Sequence, residues 1–328
     1  MLEKKLSVAP MMDWTDRHCR YLHRLLSRQT LLYTEMVTAP AILHGDAKHL
    51  LRFDKAEHPV ALQLGGSVPD ELRRAAIIGC DFGYDELNLN IGCPSNRVQS
   101  GRFGACLMEE PDLVADCVSA MLDGAQGRAE VTVKCRIGVD DQVPEDVLPD
   151  FIDRVRARGV QRFAIHARMA WLQGLSPKEN REVPPLNYPL VHAMKAEFPD
   201  LHISINGGIE TLDQAAEHLA AGIDGVMIGR AAYHNPAAIL GAADRQIFDG
   251  CGADVTAEDA VLGMLPYIER QLADGARLNQ ITRHMLGLFL GRPGARRWRQ
   301  VLSQEAHRPG AGPELVEHAL TAILPAAA

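Results

Sequence analysis

The stretch Asn88-Leu-Asn-Ile-Gly-Cys-Pro-Ser-Asn-Arg97 leads from a predicted strand into a short, stiff loop that carries a cysteine. Residues 86–91 alternate between polar and apolar side chains, which is typical of a strand. Gly92 permits a tight turn, while Pro94 fixes its own φ and disfavours a helix at Cys93. A thiol held this firmly at a strand end is suited to chemistry. The alternative is a small apolar residue in a loop, yet none of the other cysteines has this setting.

Further strand-like segments precede and follow this one, with helical segments between them. They cover residues 6–11, 31–36, 59–64, 131–135, 162–166, 202–206 and 225–229. One of the intervening helices is predicted over 149–158, and another is predicted to be capped by Thr15. Eight strands that alternate with helices over about 240 residues match the count and length of a (β/α)8 TIM barrel. A doubly wound sheet also alternates, so strand counting leaves both folds open.

Polar residues at the strand ends favour the barrel. Seven of them lie at or just past the carboxyl end of a different strand: Glu35, Gln63, Asn90, Lys134, His166, Asn206 and Arg230. In a closed barrel these side chains converge on one mouth, whereas in an open sheet they would be spread along an edge. We therefore predict a TIM barrel over residues 1–249.

The pattern changes at about Gly250. Apolar residues then recur at helical spacing in 256–273, 278–290, 294–304 and 313–324, which predicts a small all-helical C-terminal domain over 250–328. Residues 276–308 contain seven arginines and one acidic residue, a local charge of +6, although the whole chain carries −8. This asymmetry indicates one surface for an anionic partner. The seven are Arg277, Arg283, Arg292, Arg296, Arg297, Arg299 and Arg308.

The amino-acid composition excludes several classes of protein. The chain is 47% apolar and 23% charged, as expected of an ordinary globular protein. It has no apolar run long enough to span a membrane and no signal-peptide pattern, so we expect a cytoplasmic protein without a membrane partner. Seven cysteines without a Cys-x-x-Cys pair argue against a disulfide framework and a zinc site, and we expect no metal. The net negative charge argues against binding nucleic acid over the whole surface.

Glycines follow the last two predicted strands. Asn206-Gly207-Gly208 and Gly229-Arg230 are typical of the phosphate-binding site of barrels, in which backbone N–H groups approach the anion closely. The ligand could be a flavin mononucleotide or a phosphorylated metabolite. The alternative is that Gly207-Gly208 is only a tight turn.

Three further polar residues suit a flavin ring. Lys134 lies in an apolar strand, where a lysine is seldom buried without a partner, whereas His166 could as well be structural. Together with Gln63 they offer donors to the ring, and protein groups near its N1 stabilise the reduced form. Cys93 then suits the role of an acid, since a thiol is largely protonated at neutral pH yet more acidic than a hydroxyl. A nucleophilic thiolate is the alternative, but no nearby His or Asp marks such a pair.

Charged residues outside the strand ends could contact RNA or merely be solvated. Arg296, Arg297 and Arg299 surround Trp298 on one predicted helix, and single-stranded RNA uses cations and aromatic rings together. Lys178 and Arg181 lie in the loop after the sixth strand, at the same end of the barrel as the other candidates.

Several of these segments together resemble one family. They are Ser7–Arg20, Tyr33–Met36, Leu89–Ser95, Ile165–Arg168, Gly174–Arg181, Ser204–Gly208 and Thr282–Leu288. The sequence is similar across nearly its whole length to the tRNA-dihydrouridine synthases, in particular to the bacterial A-type subfamily, which modifies D-loop uridines at about position 20. The resemblance implies an FMN-bearing barrel, NADPH as reductant and a helical domain that binds tRNA at the D-loop and elbow.

The resemblance also implies roles for single residues. Cys93 would give a proton to uracil C5 after a hydride reaches C6. Asn90, Lys178, Arg181, Arg296, Arg297 and Arg299 would contact tRNA. FMN would be held by Pro10, Met11, Met12, Gln63, Lys134, His166, Asn206, Gly207, Gly208, Gly229 and Arg230.

Two other functions stay open at this point. One is an FMN-dependent oxidoreductase that acts on free pyrimidines, like a dihydroorotate dehydrogenase, which would have no use for a basic helical domain. The other is an RNA-binding or chaperone module on a barrel without catalysis. We expect a monomer that does not bind DNA, and the sequence does not decide which tRNAs are preferred, whether NADPH or NADH is used, or whether loops close over the site.

Overall fold

The computed structural model describes residues 3–95, 99 and 101–323. Its eight strands are parallel and pair in sequence order, and β1 also pairs with β8, so the sheet closes into a barrel. The predicted TIM barrel is confirmed, and β4, β6 and β7 have the predicted bounds. The strands are β1 Leu6–Val8, β2 Leu31–Thr38, β3 Val60–Gly65, β4 Glu86–Ile91, β5 Glu130–Arg136, β6 Arg162–His166, β7 His202–Asn206 and β8 Gly225–Ile228.

Helices connect the strands and cover the outside of the barrel. They are α1 Arg17–Leu26, α2 Ala39–His44, α3 Ala47–Leu51, α4 Pro69–Phe82, α5 Pro111–Ala125, α6 Pro144–Arg156, α7 Tyr188–Glu197, α8 Leu212–Ala220, α9 Arg230–His234, α10 Pro236–Leu240 and α11 Ala243–Gln246. Short 3-10 helices cover Lys55–Glu57, Gly104–Glu109 and Glu179–Arg181.

Two helix starts differ from the prediction. The cap of α1 is Asp16, whose carboxylate accepts from the backbone N–H groups of His18 and Cys19, and not Thr15. The hydroxyl of Thr15 accepts instead from the N–H of Met11, and so supports the preceding turn. The helix predicted from residue 149 begins at Pro144, where a proline at the first position and two acids in the first turn form an equally good start.

The strands alternate between two environments. In β4, Leu87, Leu89 and Ile91 join the large apolar core under the helices, whereas Asn88 and Asn90, one residue out of phase, belong to a set of buried polar groups. Because successive side chains of a strand point to opposite faces, the polar set occupies the interior of the barrel. A small second cluster of buried residues includes Tyr33, Ala61, Ala164 and Met227.

In the part of the chain that the structure describes, four helices follow the barrel: α12 Ala257–Ala273, α13 Leu278–Thr282, α14 Ala295–Glu305 and α15 Pro313–Thr321. The helix predicted over 278–290 therefore ends early, and turns follow it. Gly287 in these turns lies against α9, where a Cβ would be 2.3 Å from the carbonyl oxygen of His234. Within the described residues no helix is long and apolar enough to cross a membrane.

The C-terminal helices pack on the barrel through a continuous apolar core and a buried polar contact. Their buried residues belong to the same cluster as those of the barrel. Nε2 of His284 lies 3.0 Å from the carboxylate of Asp16, and the hydroxyl of Tyr233 lies 3.2 Å from its Nδ1. Tyr233 in turn stacks on Trp14 at 4.5 Å between ring centroids. His284 thus joins the first and the eighth strand-to-helix segments to the C-terminal helices.

Candidate active site

A cavity of about 470 Å³ opens at the carboxyl ends of the strands. Every residue predicted to hold the cofactor lines it, together with Cys93, Asn90 and Arg181. Lys178 is exposed and does not line the cavity. The cavity residues among the predicted set are Pro10, Met11, Met12, Gln63, Asn90, Cys93, Lys134, His166, Arg181, Asn206, Gly207, Gly208, Gly229 and Arg230.

The turn at Cys93 is held by side chains and not by an unusual glycine. Gly92 does not have a positive φ, and a Cβ there would have no contact shorter than 3.5 Å, so the predicted reason for this glycine is wrong. The side-chain oxygen of Asn90 accepts from the N–H groups of Gly92 and Cys93, both at 3.0 Å. The carbonyl of Cys93 accepts from the N–H of Ala105 at 3.0 Å. The half-buried thiol is therefore fixed on both sides; Asn96 and Arg97 lie outside the described residues.

Lys134 and His166 give the cavity its electrostatic character. Burial lowers the pKa of Lys134 to about 8, with a further contribution from the nearby guanidinium of Arg136. Burial also lowers the pKa of His166 well below its ordinary value, and the same guanidinium adds to this effect. The imidazole is therefore neutral at pH 7, and its Nδ1 is buried without a hydrogen-bond partner in the described part of the chain. Buried polar atoms are rarely left unpaired, so this nitrogen indicates a ligand.

The two glycines after β7 have no side chains, and so they leave space for a ligand and for the side chains packed against them. Gly207 and Gly208 have φ values of 110° and 71°, which side chains rarely tolerate, and a Cβ on Gly208 would lie 2.6 Å from Leu186. Asn206 donates from Nδ2 to the carbonyl of Met227. Arg230 forms an ion pair with Glu182 at 2.6 Å, so it faces the cavity with part of its charge already neutralised.

Sequence reasoning missed Arg136, the last residue of β5. Its buried guanidinium donates to the carbonyls of Gly92, Met169 and Asn180 at 2.9–3.1 Å, and so ties the Cys93 loop to the loop after β6. Burial lowers its pKa to about 10, which leaves it charged at neutral pH. The signal was present in the sequence, because Arg136 stands two residues after Lys134 on the same strand.

Glu35 does not lie in the mouth as predicted. The register of β2 against β3 shifts between Tyr33 and Met36, and the strand continues to Thr38. This irregularity puts Met36 in the mouth and turns Glu35 towards a second cavity, of about 580 Å³. There Glu35 is half-buried, and burial raises its pKa.

The second cavity lies between the barrel and the C-terminal helices. Residues of the α1 start and of the α3 end form one side of it, and residues 274–283 form the other. Arg17 and Arg52 both line it and carry no ion pair within the described residues. Burial lowers the pKa of Arg17, and the proximity of the Arg52 guanidinium adds to this. Two cations that repel each other are better accommodated when an anion lies between them.

The arginine helix, α14, has two distinct faces. Arg296, Arg297 and Arg299 are exposed, as an RNA contact requires. Trp298, by contrast, is fully buried: its indole N–H donates to the carbonyl of Met285 at 3.0 Å, and its ring packs edge-on against Phe289. The predicted pairing of cations with an exposed aromatic is therefore wrong. The cause is helical geometry, since residue 298 falls on the face opposite to residues 296 and 300.

Comparison with known proteins bears on this arrangement. Residues 7–324 match the family described as dihydrouridine synthase. The chain belongs to the dihydrouridine synthase family. Members of the family are oxidoreductases, and the resemblance found in the sequence is thereby confirmed.

Curated members of the family cover almost the whole chain. The tRNA-dihydrouridine(20/20a) synthase of Vibrio cholerae is 58% identical over 321 residues, which span 97% of this chain and 96% of that protein. The protein of the same name from Escherichia coli K12 is 58% identical over 320 residues, spanning 97% and 91%.

Solved structures resemble the barrel at low identity. The old yellow enzyme homologue from Zymomonas mobilis has a TM-score of 0.55 at 12% identity and covers 79% of this chain and 92% of that one. Morphinone reductase has a TM-score of 0.52 at 12% identity, with 78% and 88% covered. At such identity these likenesses bear on the fold alone.

Proposed function

We propose that this chain reduces the C5=C6 bond of D-loop uridines 20 and 20a in tRNA to 5,6-dihydrouridine, with FMN as its flavin and NADPH as reductant. The observation that carries the proposal is the position of Cys93, a fixed thiol in the same cavity as Lys134, His166 and a glycine pair. The relatives from Vibrio cholerae and Escherichia coli carry this activity in their names.

The cavity residues fit a flavin mononucleotide. The unpaired Nδ1 of buried His166 and the ammonium of Lys134 offer polar contacts to the ring or its side chain. Side chains at Gly207 and Gly208 would collide with Leu186 or His166. Because both residues lack a side chain, an anion can approach their backbone N–H groups closely. Arg230 would form an ion pair with the phosphate and keep its ion pair with Glu182, so that one guanidinium contacts both anions. When bound, reduced FMN supplies the hydride that uracil C6 accepts.

Cys93 would complete the reduction as an acid. Hydride addition at C6 leaves the electron pair of the double bond at C5, and the S–H bond of Cys93 breaks as its proton forms the new C5–H bond. Solvent then returns a proton to the thiolate. Lys134 and Arg136 line the same cavity as Cys93, so two positive charges would face the site at which the thiolate forms.

The substrate must enter as a single flipped base, since a folded tRNA is far larger than a 470 Å³ cavity. We propose that the backbone on either side of the base crosses the second cavity, where Arg17 and Arg52 have no acidic partner among the described residues, and reaches the exposed arginines of α14. These contacts would set the register of the tRNA and leave the choice of uridine to the docking of the whole molecule.

The decisive experiment is nucleoside analysis of unmodified tRNA after incubation with the FMN-loaded protein and NADPH. Dihydrouridine at positions 20 and 20a is expected. Equal or better turnover of free uracil or dihydroorotate would favour the free-pyrimidine enzyme instead. A protein that cannot be loaded with FMN would contradict both enzymes and favour an RNA-binding module.

The pH dependence of FMN binding tests the role of Lys134. The pKa of Lys134 is lowered to about 8, so its side chain is a charged ammonium below that pH and a neutral amine above it. Anionic FMN favours the charged form and raises this pKa on binding, so the affinity is expected to fall as the pH rises through about 8, by at most about tenfold per unit. Fluorescence titration between about pH 7 and about pH 9 measures this fall. Lys134→Met is the control: it should bind more weakly at neutral pH and lose the dependence, and an unchanged slope would contradict the assignment.

The salt dependence of tRNA binding tests the arginine face of α14. Replacing Arg296, Arg297 and Arg299 by alanine should weaken binding and reduce the slope of log affinity against log salt by about 0.7–0.9 for each phosphate that the protein no longer neutralises. Filter binding at several salt concentrations gives the slope. Arg154→Ala is a matched control, because this exposed arginine on α6 lies outside both cavities. If the triple variant and the control have the same slope, the RNA does not touch this face.

A further inference from the structure

A line of polar side chains runs through the interior of the barrel to its mouth. The interior of such barrels is ordinarily filled by layers of branched apolar residues. Here five buried polar side chains are linked by hydrogen bonds, each at 2.6–2.8 Å. In order from the floor they are Glu86, Thr132, Asn88, Gln63 and Asn90.

The floor of the line fixes its direction. Lys4 lies 2.6 Å from the carboxylate of Glu86, and although burial opposes ionisation, this ammonium holds the pKa of Glu86 below its usual value. A carboxylate only accepts hydrogen bonds, so the hydroxyl of Thr132 must donate to it, at 2.6 Å. With its one proton used, the Thr132 oxygen can only accept, and its partner at 2.8 Å is Nδ2 of Asn88.

Every later amide is oriented by the one before it. Because Asn88 points its nitrogen at Thr132, its oxygen faces Gln63 and accepts from Nε2 at 2.8 Å. The Gln63 oxygen then accepts from Nδ2 of Asn90 at 2.8 Å. The Asn90 oxygen is left facing the loop, where it accepts from the N–H groups of Gly92 and Cys93.

The far end of the line independently requires the same direction. Backbone N–H groups only donate, so two of them need an oxygen at this place and not an amide nitrogen. The orientation of a side-chain amide is usually ambiguous, because its oxygen and nitrogen have similar shapes. Here a pure acceptor at the floor and two pure donors at the mouth agree on one orientation for all three amides.

We propose that Glu86 is a positioning residue for Cys93, acting through Thr132 and the three amides. The carboxylate selects the amide orientation that presents the Asn90 oxygen to the Cys93 turn and thereby holds the thiol in place for proton transfer. The inference rests on the proposed role of Cys93 as the acid. Glu86 itself lies at the amino end of β4 and does not line the cavity.

Thr132 is the place at which to cut the line. Thr132→Val keeps the shape and removes the hydroxyl, whereas Thr132→Ser keeps the hydroxyl and removes a methyl group. In the full-length, FMN-loaded protein, Thr132→Val is expected to lower kcat for dihydrouridine formation roughly tenfold to a hundredfold, the scale of a misplaced catalytic group. KM for tRNA should change little, and Thr132→Ser should restore kcat to within about twofold of the original.

A second readout reports on the thiol itself. The rate at which iodoacetamide labels Cys93, followed by mass spectrometry of its peptide, should change in Thr132→Val and return in Thr132→Ser. Glu86→Gln tests the same line from the floor: a glutamine can donate as well as accept, so the floor no longer enforces the direction and only the two N–H donors at the mouth oppose its reversal, while the shape is kept. This variant should share the lowered kcat and the altered labelling.

Different results distinguish a failure of the positioning role of Glu86 from a failure of the acid role of Cys93. Equal kcat values for Thr132→Val and Thr132→Ser, or a normal kcat in Glu86→Gln, would overturn the positioning role. If Cys93→Ala itself kept normal turnover, the acid role would fail first, and the line would lose its purpose. If Cys93→Ala were inactive while Thr132→Val was normal, only the positioning role would be lost.

Discussion

Cys93→Ala is expected to retain bound flavin and to oxidise NADPH, but to form dihydrouridine about 10²- to 10⁴-fold more slowly, the range that general acid catalysis ordinarily contributes. The reason is that the hydride step does not use the thiol, whereas protonation at C5 does, and we assign Lys134 and His166, which line the same cavity, to the flavin. The hydroxyl of half-buried Ser95 lies 3.6 Å from the Cys93 sulfur, but it is a much weaker acid.

Single-turnover mixing of reduced protein with unmodified tRNA, followed by nucleoside analysis, measures this loss. Cys80→Ala is the matched control, since Cys80 is also half-buried but lies on α4, away from both cavities. Turnover of Cys93→Ala at the rate of the control would refute the acid role. A loss of flavin binding in Cys93→Ala would show that the thiol serves the cofactor instead.

Trp298→Ala is expected to destabilise the protein by about 3–5 kcal/mol, the usual cost of removing a large buried aromatic side chain. The indole is fully buried against Phe289 and satisfies the carbonyl of Met285, so truncation leaves a cavity and an unpaired acceptor. Circular dichroism during urea or thermal unfolding measures the change.

Arg296→Ala is the matched control for Trp298→Ala. The two residues lie two positions apart on α14, yet only one is buried, so the arginine variant should unfold at nearly the same midpoint as the original. If Trp298 instead stacked on RNA, its alanine variant would keep its stability and lose tRNA affinity. That result would return the aromatic ring to the RNA-binding surface.

The barrel and its mouth could be predicted because both follow from short-range pattern. Alternating side chains define each strand, and the polar residue at each strand end needs only closure of the sheet to reach the cavity. The predicted set from Gln63 through Arg230 is brought together for this reason. Its functional assignments remain predictions until variants are measured.

The residues that the sequence analysis predicted wrongly or missed are positioned by contacts between segments that lie far apart in the sequence. The irregularity in β2 that exchanges Glu35 for Met36 arises from pairing with β3, which no local pattern reveals. The position of Arg136, two residues after Lys134, does not indicate the three loop carbonyls that its guanidinium contacts. Trp298 was assigned by its neighbours in sequence, although the two faces of a helix separate adjacent residues.

The contact of His284 with Asp16 and Tyr233 has a consequence for how this enzyme can be taken apart. A cut at residue 250 would strip His284 from a half-buried carboxylate and release the ring that backs Trp14, which lines the mouth. It would also expose much of the shared apolar core. An isolated barrel would therefore be a damaged protein and not a simpler one. Grafting the C-terminal helices of one dihydrouridine synthase onto another would have to exchange the Asp16, Tyr233 and His284 positions together.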